Sequence, residues 1–264
     1  MHPRRYSKHM RSPRVASAVL AAALLVTGLS ACSGGVEPAP TVSAAPGDGV
    51  LRIADLTPLT GDMAKFAAAQ SAGVELAVRE VNEQGGFNGK SITVIHRNAG
   101  DAKEDVAAAS FKDALAKGSD VIISAASTSA TAALVKLQGS NNIAIVAIAS
   151  KDNVAGGSSA STVKADDAFI KRIKQADPNV TDYTYAVEAY DATIASILAA
   201  TFAKNDAGQA ISQGLVSISW KNGARCTSYG ACIDALKTQP SIDYVGAAGQ
   251  ITYTVKTGVI SFAH

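Results

Sequence analysis

Residues 147–169 read AIASKDNVAGGSSASTVKADDAF, and the fold turns on what this stretch connects. Before it, apolar strands and amphipathic helices alternate; after it, helices dominate and the alternation does not resume. The strand that runs into it, IAIVAIA (143–149), is the fourth of a series. LRIADL (51–56) is the first, followed by the turn-rich Thr57-Pro58-Leu59-Thr60-Gly61. A helix then runs from about Met63 to Glu83, where Val74, Ala77, Val78 and Val81 recur at helical spacing. Gly85-Gly86 stops it, because glycine tolerates the left-handed backbone that ends helices. SITVIH (91–96) is the second strand; Asp101 and Glu104 make a capping-box-like start for a helix over 102–117, ended by Gly118. DVIIS (120–124) is the third strand, and its unbroken apolar run suits a parallel strand covered on both faces. Ala125 to Ser129 leads into a helix reaching Gln138. The order βαβαβαβ with short connections predicts an α/β fold with a doubly wound parallel sheet.

The N-terminus reads as a targeting segment. Arg4, Arg5, Lys8, Arg11 and Arg14 precede an apolar run, Val15 to Gly28, of 14 residues, too short to span a bilayer comfortably. It ends in Leu29-Ser30-Ala31-Cys32, which resembles the lipobox of bacterial lipoproteins, whose cysteine is lipidated and becomes the mature N-terminus. An ordinary secretory signal or an uncleaved anchor is the rival reading. Residues 1–31 are therefore assigned as signal peptide, and 32–49, rich in Pro, Gly, Ala and Ser, as a flexible tether. Removing the five signal cations from the 24 Lys+Arg leaves 19 against 22 Asp+Glu, with no basic run, so nucleic acid is not an expected partner. Cys226 and Cys232, in RCTSYGAC, are most simply a disulfide in an exported protein. A metal site there lacks partners, since the histidines outside the signal are His96 and His264.

In doubly wound sheets, ligands sit beyond the carboxyl ends of the strands. Loops 57–62, 125–129 and 149–152 meet that description. Ser127, Thr128 and Ser129 place hydroxyls at a helix N-terminus, suited either to an anion such as a carboxylate or to plain N-capping. Enzyme signatures are missing: no G-x-G-x-x-G, no G-x-x-x-x-G-K-[ST] and no G-x-S-x-G occurs. His96, towards the end of its strand, is the one internal histidine that could serve as a base, and Asp166, Asp167 and Asp191 read as solvated helix positions. No enzyme activity, cofactor or metal is expected.

Four stretches together resemble the leucine/isoleucine/valine-binding family of type I periplasmic binding proteins. They are IADLTPLTGDMAKFAAAQSAGVELAVREVNEQGGFNGKSITV (53–94), VIISAASTSATAALVKL (121–137), AYDATIASILAA (189–200) and CTSYGACIDALKTQPSIDYVGAAGQITY (226–253). The resemblance implies a substrate-binding lipoprotein of an ABC importer, held outside the membrane by its lipid and working with permease subunits. It implies that Ser127 or Thr128 and Ser150 grip the α-carboxylate of an amino acid, with Phe66 lining the pocket. Lys151 departs from the pattern, standing where a small hydroxylated residue is common.

Family members close two lobes on the ligand, and here the second has no room. Residues 51–150 resemble the outgoing part of lobe one, 164–264 the returning part with the cysteine pair, and 151–163 only a Gly/Ser-rich connector in place of most of lobe two. Strand candidates after residue 150 are LVSISW (215–220) and ITYTV (251–255). The expectation is one near-complete lobe, binding a branched-chain or related amino acid through half a clamp. Its uncovered apolar face is expected to favour self-association. The alternative is a degenerate single-lobe lipoprotein acting as a sensor or interaction module without transport.

Overall fold

The computed structural model describes residues 39–61, 63–100, 106–124, 128–148 and 163–263; side chains at 128 and 129 fall outside the description. So do the signal segment, Cys32, Ser127, Ser150, Lys151 and nearly all of the connector.

The expected alternation is present. Strands β1 (Arg52–Thr57), β2 (Thr93–Asn98), β3 (Val121–Ser124) and β4 (Ala144–Ile148) are separated by helices α1 (Ala67–Glu83), α2 (Val106–Ala116) and α3 (Thr128–Gln138). All pair in parallel, with Asp55 level with His96 on β2 and Ile123 on β3. Successive residues feed opposite cores. Val121 and Ile123 join the layer under α1, whereas Ile122 joins the layer under α2 and α3. Helices therefore cover both faces at β3 and β4, which is why these strands read as unbroken apolar runs, while the edge strand β2 is partly exposed.

After the connector come α4 (Asp167–Ala176), α5 (Ala186–Ala203), α6 (Gly208–Ser217), β5 (Ala224–Cys226), α7 (Tyr229–Leu236), β6 (Ile242–Gly246), β7 (Gly249–Thr254) and β8 (Val259–Ala263). Two expectations are corrected. LVSISW is not a strand: Leu215 to Ser217 close α6, because Ile211, Leu215 and Ile218 recur at helical spacing and all are buried. The alternation also resumes, since β5, α7 and β6 form a parallel βαβ unit. ITYTV lies within β7 apart from its last residue.

The strands make one sheet in the order β2-β1-β3-β4-β8-β7-β6-β5, in which only β7 runs against its neighbours. Among the described residues no second sheet faces the strand tips. Nor is there the expected apolar patch: the exposed large hydrophobic residues among those described are Leu59 and Val255, on separate turns. In β7, Ile251 and Tyr253 point into the core while Thr252 and Thr254 meet solvent, so this strand is covered on one face only. Cys226 and Cys232 form the expected disulfide, tying β5 to α7.

Candidate functional site

The carboxyl ends of β1, β3 and β4 gather the N-termini of α1, α3 and α5. Asn98, the last residue of β2, organises the first of these loops. Its Oδ1 accepts from the backbone N–H of Leu59 and of Gly100, both at 2.8 Å, and its Nδ2 donates to Thr60 Oγ1 at 3.2 Å. The chain then makes a 3-10 turn (Ala64–Phe66) into α1. Phe66 is half-buried there, edge-on to Tyr185 with ring centroids 5.3 Å apart, and the Lys65 ammonium lies 4.8 Å from its ring centre. Tyr185 stands at the start of α5 with φ of 67°, a left-handed backbone uncommon outside glycine.

Below this rim lie buried polar groups. Gln70, in the first turn of α1, is 1% exposed, and among the described residues neither atom of its amide has a hydrogen-bond partner. Glu188, in the first turn of α5, accepts from the Val163 N–H at 2.8 Å, while its Oε2 is buried without a partner among the described residues. Burial pushes the Glu188 carboxyl up to about 7. Two helix starts thus bring unpaired polar atoms to the tips of β1 and β4, where a polar ligand or water would satisfy them.

His96 does not lie at a strand end. It sits mid-strand, its Nδ1 2.8 Å from Asp55 Oδ2 and its Nε2 2.5 Å from Glu75 Oε1. Hydrogen bonds donated to Asp55 and then to Glu75 raise the imidazole to about 10. Ser71 Oγ donates to the same Asp55 oxygen at 2.6 Å. Hydroxyl and imidazole share one carboxylate oxygen instead of facing each other, so the trio lacks the nucleophile–base contact that acyl transfer requires. It is an ion-pair cluster between β1, β2 and α1 in which Asp55 is buried while His96 and Glu75 are exposed.

Of the expected ligand-binding residues, the structure places Phe66 at the rim and starts α3 at Thr128; Ser127 and Ser150 lie outside the described residues, as does Cys32. Asn98, Gln70, Tyr185 and Glu188 were not anticipated. Asn98 carried a signal, standing in Arg97-Asn98-Ala99-Gly100 where a side chain can accept from its own turn. Glu188 carried none, since its partner is 25 residues upstream.

The sequence profile described as periplasmic binding protein matches residues 50–163, the segment that builds β1 to β4 and the rim. Residues 50–163 are thus similar to the periplasmic binding protein family over under half of the chain. No curated protein matches the chain. Among solved structures, the branched-chain amino acid transporter substrate-binding protein LivJ of Streptococcus pneumoniae, in complex with isoleucine, is 24% identical over 37% of this chain and 28% of its own, with a TM-score of 0.35. The leucine-binding protein LivK of Thermotoga maritima is 19% identical over 37% of this chain and 27% of its own, at a TM-score of 0.33. The chain thus spans under a third of either. An ABC transporter structure from Rhodopseudomonas palustris is 10% identical over 81% of this chain and 95% of its own, with a TM-score of 0.51, a likeness of fold. The segment similar to periplasmic binding proteins therefore forms one side of a sheet whose remaining strands come from residues 224–263.

Proposed function

We propose that this protein is an extracytoplasmic solute-binding component of an ABC importer, anchored by lipid at Cys32 and capturing a small solute, most simply a branched-chain or related amino acid. The observation that carries the reading is the family match over residues 50–163, which coincides with the strand tips and helix N-termini of the rim. Amino-acid specificity is supported by the resemblance of residues 53–94 and 226–253. In this reading Ser127, Thr128 and Ser150 hold the ligand carboxylate, Phe66 covers its side chain, and permease subunits receive the cargo.

One lobe leaves the ligand wet on its far side, so affinity is low. Titration calorimetry with leucine, isoleucine and valine is expected to give dissociation constants weaker than about 1 µM, a free energy short of about −8 kcal/mol. A tighter complex would overturn the half-clamp. Ser127→Ala with Thr128→Val is expected to remove the remaining heat while leaving the thermal transition in place.

The single sheet among the described residues favours a second reading, a one-lobe sensor or interaction module without transport. Capture of the permease subunits on immobilised protein distinguishes the two, because only an importer component must engage them.

A further inference from the structure

Two aromatic rings stand over two buried polar side chains where α1 and α5 begin. Phe66 and Tyr185 meet edge-on, and Gln70 and Glu188 follow them by four and three residues, so each polar side chain lies about one helical turn below a ring. The helices cross tightly there, since a Cβ on Gly73 would meet the Ala186 carbonyl. Gln70 is three residues from that crossing, about 4.5 Å along α1, and Glu188 is two residues past it, about 3 Å along α5. Further along the same faces, Val74 and Ala77 of α1 and Ala192 and Ala195 of α5 enter one core layer against the sheet. The two polar side chains are therefore turned inward, and they are 1% and 3% exposed.

Among the described residues nothing completes their hydrogen bonding. The Gln70 amide uses neither its donor nor its acceptor, and Glu188 Oε2 has no partner. The charge that acts on Glu188 is a second carboxylate, Asp191, one turn further along α5, and it opposes ionisation. Asp191 is itself satisfied by the Tyr244 hydroxyl and the Ala248 N–H. Lys65, a cation at this rim, lies over the Phe66 ring and acts on Asp182 instead. A buried carboxylate oxygen and an amide, with a carboxylate behind them, are suited to a group that brings positive charge and several N–H donors. The rings above suit the same chemistry, because Phe66 already holds one ammonium, that of Lys65, 4.8 Å from its centre.

We propose that Gln70 and Glu188 form a subsite for the ammonium group of the solute, entered between Phe66 and Tyr185, in which Glu188 Oε2 and the Gln70 carbonyl oxygen accept its N–H groups. The inference rests on the solute-binding reading above and adds which part of the solute is held beneath the rim. It makes the protein select an amine over a hydroxy acid of the same carbon skeleton.

The test is titration calorimetry of the purified full chain with leucine and with 2-hydroxy-4-methylpentanoate, which carries a hydroxyl in place of the ammonium group. Leucine is expected to bind at least about tenfold tighter, the loss set by hydrogen bonds to a charged group. In Glu188→Gln the ratio of the two affinities is expected to fall to about one, and in Gln70→Met to fall severalfold, each with its thermal transition in place. Gln70→Met removes no charge and keeps the test open should Glu188→Gln lose that transition. Burial holds the Glu188 carboxyl at about 7, so a bound ammonium that ionises it is expected to release about half a proton per leucine at pH 7. That release, read from the dependence of the heat on buffer, should vanish in Glu188→Gln. Equal binding of the two solutes, or a preference for leucine that survives both substitutions, would overturn the subsite and leave the solute-binding reading standing. Binding of neither solute would overturn that reading and the subsite with it.

Discussion

At the scale of single residues, His96 shows how a buried carboxylate reshapes a side chain in the sheet. Asp55 is 1% exposed on β1, and the imidazole beside it is raised to about 10 by that contact first and by Glu75 second. A group whose folded pKa lies above its unfolded value near 6.5 stabilises the fold fully below that value and loses the contribution as pH rises through the folded one. The His96 ring is 39% exposed, so solvent screening leaves a contribution of about 1 kcal/mol. The gap in urea stability between the native chain and His96→Gln is therefore expected to be widest below pH 6.5 and to close by about pH 10. A gap that stays constant across that range would remove the ion pair from the account. Single residues were the least legible scale. Asp191, read as a solvated helix position, is 1% exposed, because the residues that hold it arrive 53 and 57 positions later. Phe66 was suggested only by the family resemblance, and the structure sets it in the 3-10 turn that leads into α1.

At the scale of elements, Asp191 explains the turn between β6 and β7. Tyr244 Oη donates to its Oδ1 at 2.8 Å and the Ala248 N–H donates to its Oδ2 at 2.5 Å, while a Cβ on Gly246 would fall 2.3 Å from the carboxylate. The glycine leaves room for the acid that fixes the hairpin. Gly246→Ala is expected to cost about 1 to 3 kcal/mol by overpacking, measured by chemical denaturation. In an Asp191→Ala background the same change should cost much less, since the clashing group is gone. Additive losses would assign the cost to the backbone instead. Elements were legible where two signals agreed: β1 to β4 are short strands between glycine stops, β3 and β4 with unbroken apolar runs, and their ends shift by only one or two residues. They were not legible where one signal misled or was too short. LVSISW has strand-like composition but helical spacing, and β5 is three residues long, below what any periodicity can mark.

At the scale of the whole molecule, the sheet is two halves joined at one seam. β4 and β8 pair through Ala147 with Val259 and Ile148 with Ile260. The seam is reinforced where the Ala147 N–H donates to the Gly258 carbonyl and Tyr253 Oη donates to the Ile145 carbonyl, both at 2.7 Å. Deleting residues 259–263 is expected to abolish the cooperative thermal transition, because β4 and β7 both lose their neighbour. Ile260→Ala, 0% exposed before truncation, should keep the transition but lower stability by about 2 to 5 kcal/mol. A truncated chain that still melts cooperatively would mean that the halves stand alone. The overall class was legible because the first half is a run of local βα units. The joining of the second half was not, since it depends on pairings between residues more than 100 positions apart.

That strand order also sets a timetable. The strand at the centre of the sheet follows the other seven in the chain, so on the ribosome it is the last of them to emerge. Until it does, β4 has an open edge and the β5–β7 block has nothing to lean on, and pairings this distant form slowly. Closure of the sheet therefore waits until residues 259–263 have been synthesised.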